Sequence, residues 1–128
     1  MRFLLDTHFV LWVPINHPHI SAQARAMLSN PANQFSFSVS SIWECAIKRS
    51  LHRRDFLFDP REIRRLLIAN DYEELTIQSK HAVAVDSLPP LHKDPFDRIL
   101  IAQAMVEGIT LLTADATIAR YPGPIKKV

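Results

Sequence analysis

A helix start that carries two acids, followed by an apolar run, constrains the fold of this chain most strongly. Asp94 fits the helix N-cap, and Pro95 fits the first helical position. Asp97 falls in the first turn, where the helix dipole favours a negative charge. The run that follows is mostly apolar, and Gly108 is placed to end the helix. The sequence therefore predicts a largely buried helix over residues 95–107 with acids at its mouth.

Short apolar strands alternate with helices along the rest of the chain. Strands are expected at 2–5, 34–39, 74–77, 109–113 and 124–127, and helices at 8–13, 21–29, 41–50, 60–69, 78–86, 95–107 and 116–120. Such alternation favours parallel βαβ units with right-handed crossovers. The predicted fold class is α/β: a single domain over residues 1–128, with a central parallel sheet of about four to five strands flanked by helices on both faces.

Three further acids stand just past a strand or just inside a helix. Asp6 ends the first apolar run, Asp115 follows the late strand, and Glu44 lies one turn into the helix after the second strand. Because the carboxyl ends of parallel strands share one edge, these acids and Asp97 are expected to converge there. Each acid also fits a structural role, such as a capping box for Ser41 with Glu44 or a helix cap for Asp115.

Clustered carboxylates repel each other, so their convergence predicts a cation between them. Oxygen ligands of this kind suit Mg²⁺ or Mn²⁺, and two such ions can promote phosphodiester cleavage. Gly108 and Gly123 are the only glycines, which excludes a Walker loop and a dinucleotide-binding fingerprint. Cys45 is the only cysteine, which excludes a cysteine zinc cluster and an internal disulfide. We expect Cys45 to be a small buried apolar residue.

Four short motifs occur in order along nearly the whole chain, from Phe3 to about Pro122. They are Leu4-Leu5-Asp6-Thr7-His8, Ser40-Ser41-Ile42-Trp43-Glu44, Asp94-Pro95-Phe96-Asp97-Arg98 and Leu112-Thr113-Ala114-Asp115. This order resembles PIN domains and, more narrowly, the VapC-type toxins of bacterial toxin–antitoxin pairs. The resemblance implies a metal-dependent endoribonuclease, a homodimer, and a small VapB-like antitoxin that silences it. Its implied catalytic and metal-holding acids, with Mg²⁺ or Mn²⁺ as cofactor, are Asp6, Glu44, Asp97 and Asp115.

Four polar residues beside these acids are candidates for supporting contacts to the metal site: Thr7, His8, Asp94 and Thr113. His8 stands where many PIN domains have asparagine, and its neutral imidazole could donate a hydrogen bond. A partly buried helix histidine is the alternative for that position. Asp94 is either an outer ligand or only the helix cap, and the cap is favoured.

Basic residues concentrate between positions 48 and 65, although the net charge is only +2. Lys48, Arg49, Arg53 and Arg54 are candidates for contacts to the phosphates that flank the scissile bond. A solvated face of two helices is the alternative. RNA rather than DNA follows from the family resemblance alone.

Two other function classes compete with the nuclease. A non-catalytic PIN-like module that binds RNA or protein is disfavoured because all four acids are retained. An aspartate-based phosphatase usually carries a second acid two residues after its nucleophile, where this chain has His8. The early apolar run is broken by Asp6, so neither a membrane-spanning helix nor a signal peptide is predicted, and a cytoplasmic location is expected.

Overall fold

A five-stranded sheet, parallel throughout, forms the centre of the computed structural model, which describes residues 1–51, 54 and 56–128. Its strands are β1 (Arg2–Leu5), β2 (Gln34–Ser38), β3 (Glu73–Leu75), β4 (Thr110–Thr113) and β5 (Ile125–Lys127). They lie in the order β3-β2-β1-β4-β5, and each neighbouring pair is parallel. The predicted α/β class is confirmed, with β1 in the middle of the sheet.

In the part of the chain that the structure describes, six α-helices and two short 3₁₀ turns connect the strands. The helices are α1 (Thr7–Trp12), α2 (Ala22–Ser29), α3 (Val39–Leu51), α4 (Pro60–Ala69), α5 (Ser79–Ala84) and α6 (Pro95–Glu107). The 3₁₀ turns are Val85–Ser87 and Ile118–Arg120. Within the described ranges, no helix is both long enough and apolar enough to cross a membrane.

Alternate residues of the central strand serve two separate hydrophobic cores. Phe3 and Leu5 pack on one face with buried residues of α1, α3 and α4. Leu4 packs on the other face with the apolar side of α6, including Leu100 and Ile101. This division follows from the two-residue period of a strand, and it confirms that helices cover both faces of the sheet.

The predicted limits of α6 are confirmed, whereas the start of α3 differs from the prediction. Asp94 caps α6, and Gly108 ends it with a left-handed φ of 66°. Helix α3 begins at Val39 instead of residue 41, and the Ser38 hydroxyl accepts a hydrogen bond from the Ser40 N–H at 3.0 Å. Ser41 therefore lies inside the helix, and the capping box expected for it is wrong.

Smaller departures occur at the sheet's outer strand and at the late helix. Strand β3 covers Glu73–Leu75 instead of 74–77, and the segment expected as one helix at 78–86 divides into α5 and a 3₁₀ turn. The run predicted as a helix at 116–120 is only the 3₁₀ turn Ile118–Arg120. Cys45 is fully buried, as expected.

Candidate active site

Asp6 and Asp115 lie at the carboxyl ends of the neighbouring strands β1 and β4. The Asp6 N–H continues the sheet by donating to the Leu112 carbonyl at 3.1 Å. The Thr113 hydroxyl lies between the two acids: it donates to Asp6 Oδ2 at 2.6 Å and accepts from the Asp115 N–H at 3.0 Å. Thr113 thus joins the two acids through one buried hydroxyl, close to the supporting place expected for it.

The carboxyl group of Asp6 is almost completely removed from water, with 1% of the residue exposed. Burial raises its pKa, and the nearby charge of Asp115 raises it further. Hydrogen bonds from Thr113 and the Phe9 N–H, together with the charge of His8, lower the pKa but do not cancel the effect of burial. A carboxylate at this position needs a compensating positive charge.

Asp115 also caps the turn that follows it. Its Oδ1 accepts hydrogen bonds from the Thr117 N–H at 2.7 Å and the Ile118 N–H at 3.1 Å. This contact confirms the capping role expected from the sequence. It does not compete with a ligand role, because a carboxylate has a second oxygen and further lone pairs.

Helix α6 carries Asp94 and Asp97 to the same edge of the sheet. The helix leads into the parallel strand β4, so its first turn lies at the carboxyl ends of the strands. Asp94 Oδ1 accepts from the Phe96 N–H at 2.8 Å and from the Asp97 N–H at 3.4 Å. Asp94 is therefore the helix cap, as favoured from the sequence.

His92 contacts Asp97 directly, and sequence reasoning assigned it no role. His92 Nε2 lies 2.7 Å from Asp97 Oδ2. The pKa of Asp97 is raised to about 6. Burial has the largest effect, charge repulsion from Asp94 and Glu44 adds to it, and the contact with His92 opposes it. The sequence feature that could have predicted this contact is the position of His92, two residues before the capping acid Asp94.

Glu44 is buried on α3, within electrostatic range of Asp97. Its Oε2 lies 2.7 Å from the Lys48 ammonium, one helical turn further on. Its Oε1 is buried and has no hydrogen-bond partner among the described residues. The Thr7 and Ser41 hydroxyls, 3.0 Å apart, join α1 to α3 beside it. Thr7 therefore supports the packing of α3 against the strand that ends at Asp6.

His8 does not take the hydrogen-bonding place that the sequence allowed for it. The residue is exposed, and its ring stacks on Trp12 with centroids 5.3 Å apart. No hydrogen bond from His8 to an acid occurs within the part of the chain that the structure describes. The partly buried position is also wrong, because the first turn of α1 points His8 to solvent. Its effect on the site is the charge effect on Asp6.

Two of the four candidate phosphate-binding residues form ion pairs with acids. Lys48 pairs with Glu44, and Arg49 Nη1 lies 2.9 Å from Asp59 Oδ1. Arg54 is exposed, and Arg53 lies outside the described residues. Two of the four expected phosphate contacts therefore neutralise carboxylates in this structure, and the phosphate-binding role stays a prediction.

The donor set fits a divalent cation. Asp115 opposes the ionisation of Asp6 by charge repulsion, and Glu44 opposes that of Asp97. Glu44 Oε1 is buried and has no hydrogen-bond partner among the described residues, whereas Oε2 pairs with Lys48. Hard carboxylate oxygens of this kind suit Mg²⁺ or Mn²⁺. A bound cation would balance the repulsion that burial makes costly.

The fold is similar to that of chains in several solved structures, among them VapBC complexes. For VapBC2 from Rickettsia felis bound to a fragment of promoter DNA, the TM-score is 0.71 at 16% identity, covering 100% of this chain and 99% of that chain. For DNA-bound VapBC from Salmonella typhimurium, the TM-score is 0.66 at 17% identity, covering 99% and 98%. For FitAcB from Neisseria gonorrhoeae it is 0.58 at 18% identity, covering 91% and 89%.

At these identities the likeness concerns the fold. No curated protein sequence matches the chain. The family model described as "PIN domain" matches residues 3–124. Because that match covers nearly the whole chain, the chain belongs to the PIN domain family.

Proposed function

We propose that this chain is a VapC-type toxin that hydrolyses RNA phosphodiester bonds as a single PIN-like nuclease domain over residues 1–128. The observation that carries the proposal is a set of two interacting acid pairs, Asp6 with Asp115 and Asp97 with Glu44, at the carboxyl ends of the strands. Glu44 supports it, because Lys48 contacts Oε2 whereas the buried Oε1 has no hydrogen-bond partner among the described residues.

In this proposal the four acids would hold Mg²⁺ or Mn²⁺, and the ion would supply Lewis-acid chemistry at the scissile phosphate. The protein's own residues orient these acids and balance their charge. Thr113 fixes the orientation of the Asp6 carboxylate through its hydroxyl. Lys48 pairs with the Glu44 carboxylate one turn along α3 and balances part of its charge. A ligand held in one orientation, as Asp6 is, lowers the reorganisation that accompanies the reaction.

The proposed partner is a VapB-like antitoxin, because the similar solved structures are VapBC complexes. An apolar groove of about 460 Å³ lies beside the acids between α3, α5 and α6. Trp43, which is 57% exposed, lines this groove and contacts the Phe96 ring edge-on. An apolar segment of the antitoxin would bury these rings. A homodimer is proposed from the family resemblance, and a cytoplasmic location stays the expectation drawn from the sequence.

Cleavage of a fluorophore-labelled single-stranded RNA tests the nuclease proposal. We expect the parent protein to produce fragments with Mg²⁺ or Mn²⁺ and none with excess chelator. Asp6→Asn and Asp97→Asn should each lower the cleavage rate at least 100-fold, since a carboxamide cannot balance the charge of the metal. This decrease corresponds to a loss of about 3 kcal/mol of transition-state stabilisation. Asp86→Asn, at an exposed acid outside the four, is the matched control.

Three results would contradict the proposal. Parental cleavage rates in both site variants would place the active site elsewhere. RNA binding without fragments, under every metal condition, would favour the non-catalytic module. Release of inorganic phosphate from a phosphomonoester, with intact RNA, would favour the phosphatase. A DNA oligonucleotide of the same sequence, run in parallel, tests the preference for RNA.

Co-expression tests the partner. The parent chain should co-purify with the product of a small neighbouring gene and lose its cleavage activity in that complex. Trp43→Ser should weaken the complex while the free variant keeps its fold by circular dichroism. Inhibition that is unaffected by Trp43→Ser would place the antitoxin on another surface.

A further inference from the structure

His92 brings a nitrogen atom into an otherwise all-oxygen group of potential metal ligands. His92, Asp94 and Asp97 each offer one ligand atom, and these atoms lie within 4.8 Å of one another. The His92 Nε2 and Asp97 Oδ2 atoms are 2.7 Å apart. Two ligands about 2.1 Å from an ion, on adjacent corners of an octahedron, lie about 3 Å apart. The two side chains therefore already have nearly the separation that one shared ion requires.

A second observation indicates that a cation belongs beside this group. Glu44 is 5% exposed, its Oε1 has no hydrogen-bond partner among the described residues, and its charge acts on Asp97. Lys48 pairs with Glu44 Oε2, which leaves the buried Oε1 without a hydrogen bond in the described part of the chain, and a cation nearby would stabilise two neighbouring carboxylates. Glu44 on α3 and His92 in the loop before α6 thus act on Asp97 from two different elements.

The loop that carries His92 is held rigidly by buried polar contacts. The His92 N–H donates to the Tyr121 hydroxyl at 2.8 Å, and Tyr121 is buried. The Arg98 guanidinium donates to that hydroxyl and to the Pro89 carbonyl, each at 3.0 Å. Because its backbone is anchored in this way, the imidazole stays beside Asp97 at little cost in conformational entropy.

We propose that His92 is a metal ligand that binds through Nε2 to the same ion as Asp97, so that the site prefers Mn²⁺ to Mg²⁺. This inference rests on the proposed metal-dependent function. The neutral tautomer with its proton on Nδ1 presents the Nε2 lone pair to the ion. Asp94 uses one oxygen to cap α6, and its other carboxylate oxygen would remain available to the same ion.

The preference follows from the chemistry of the ligand atoms. Imidazole nitrogen binds transition metals well, whereas Mg²⁺ strongly prefers oxygen and keeps its water molecules. One nitrogen among the carboxylates therefore strengthens binding of Mn²⁺ and leaves binding of Mg²⁺ nearly unchanged. A site made of the carboxylates alone would show a smaller difference in affinity between Mn²⁺ and Mg²⁺.

The test compares metal binding by the parent, by His92→Gln and by the control His19→Gln, all freed of metal with a chelator. Glutamine keeps an N–H that can donate to Asp97 but removes the imidazole nitrogen. His19 is exposed and its ring lies against Trp12, so His19→Gln makes the same replacement of histidine by glutamine outside the proposed metal site. Mn²⁺ affinity is measured from the electron paramagnetic resonance signal of free Mn²⁺, and Mg²⁺ affinity by competition against it.

We expect His92→Gln to lower Mn²⁺ affinity about tenfold or more and Mg²⁺ affinity less than about threefold. Pulsed electron paramagnetic resonance of the bound Mn²⁺ should show hyperfine coupling to a nitrogen nucleus in the parent and in His19→Gln. The coupling should change when histidine is labelled with ¹⁵N, and it should be absent in His92→Gln. Circular dichroism and the unfolding temperature check that each variant is folded.

The proposal is overturned if bound Mn²⁺ shows no histidine coupling in the parent, or if the variant loses affinity for both ions equally. Either result would make His92 only a hydrogen-bond donor to Asp97. RNA cleavage by the same parent sample separates this failure from failure of the nuclease proposal. RNA cleavage without nitrogen coupling would contradict only the assignment of His92 as a metal ligand. Nitrogen coupling without RNA cleavage would contradict only the nuclease proposal.

Discussion

Asp97→Asn should stabilise the metal-free protein while it removes metal-dependent activity. The side chain of Asp97 is 17% exposed, so solvent screens its charge only weakly. Burial and the neighbouring acids raise its pKa from 3.8 to about 6. Each unit of such a shift corresponds to about 1.4 kcal/mol. The ionised carboxyl therefore costs the metal-free fold about 3 kcal/mol, and the neutral amide does not carry this cost.

The gain should depend on pH in a direction that the raised pKa determines. Above the folded-state pKa the parent bears the full cost of a buried charge. As pH falls through about 6, the folded parent takes up a proton and the cost declines, until it vanishes below the unfolded-state pKa. The stability advantage of the Asp97→Asn variant should be about 3 kcal/mol at about pH 8, about 1.5 kcal/mol at about pH 5 and near zero below about pH 3.

Urea unfolding in excess chelator, followed by circular dichroism at about pH 8 and about pH 5, measures this difference. Asp86→Asn, at an exposed acid, should change the free energy of unfolding by less than about 0.5 kcal/mol at both pH values. Adding Mg²⁺ or Mn²⁺ should stabilise the parent by mass action and narrow the gap to Asp97→Asn. A variant no more stable than the parent at about pH 8, or a gain independent of pH, would refute the reasoning.

Three further changes probe the contacts that hold the site. Thr113→Val removes the hydroxyl that bonds Asp6 and should lower stability by about 2 kcal/mol, by urea unfolding, and weaken metal binding by calorimetry; unchanged metal affinity would contradict its role in orienting Asp6. Lys48→Gln frees the Glu44 carboxylate and should raise Mg²⁺ affinity a few-fold, whereas a loss of affinity would show that Lys48 orients the ligand. Arg98→Lys cannot replace a guanidinium that donates to several carbonyls of the loop before α6 and should cost about 2 to 3 kcal/mol, by thermal unfolding; a cost below about 0.5 kcal/mol would show that the loop does not depend on it.

The elements that depend on local interactions were predictable from the sequence. The start of α6 is an example, because Asp94 and the N–H groups that it caps are two and three residues apart. The alternation of strands and helices likewise predicted a parallel sheet, which is confirmed. Each acid stands just past a strand or just inside a helix, and the convergence of all four on one metal site stays a prediction. The confirmed inferences hold because capping, strand period and crossover handedness involve short stretches of chain.

The start of α3 was predicted less well, since Ser38, Ser40 and Ser41 are all acceptable helix caps by type. Tertiary structure chose among them. The Ser41 hydroxyl is used by Thr7 across the gap between α3 and α1, whereas Ser38 remains to serve the first turn. A partner 34 positions away in the chain decided this local boundary.

By itself, the sequence determined the α/β class, and it predicts that the four acids share one edge of the sheet. Only the tertiary structure brought His92 against Asp97, because the loop between them takes its course from Tyr121 and Arg98 rather than from a regular backbone. It also joined Asp6 to Thr113, which is 107 positions away. Contacts of this kind depend on how separate elements pack, and packing is a property of the whole chain that no local pattern encodes.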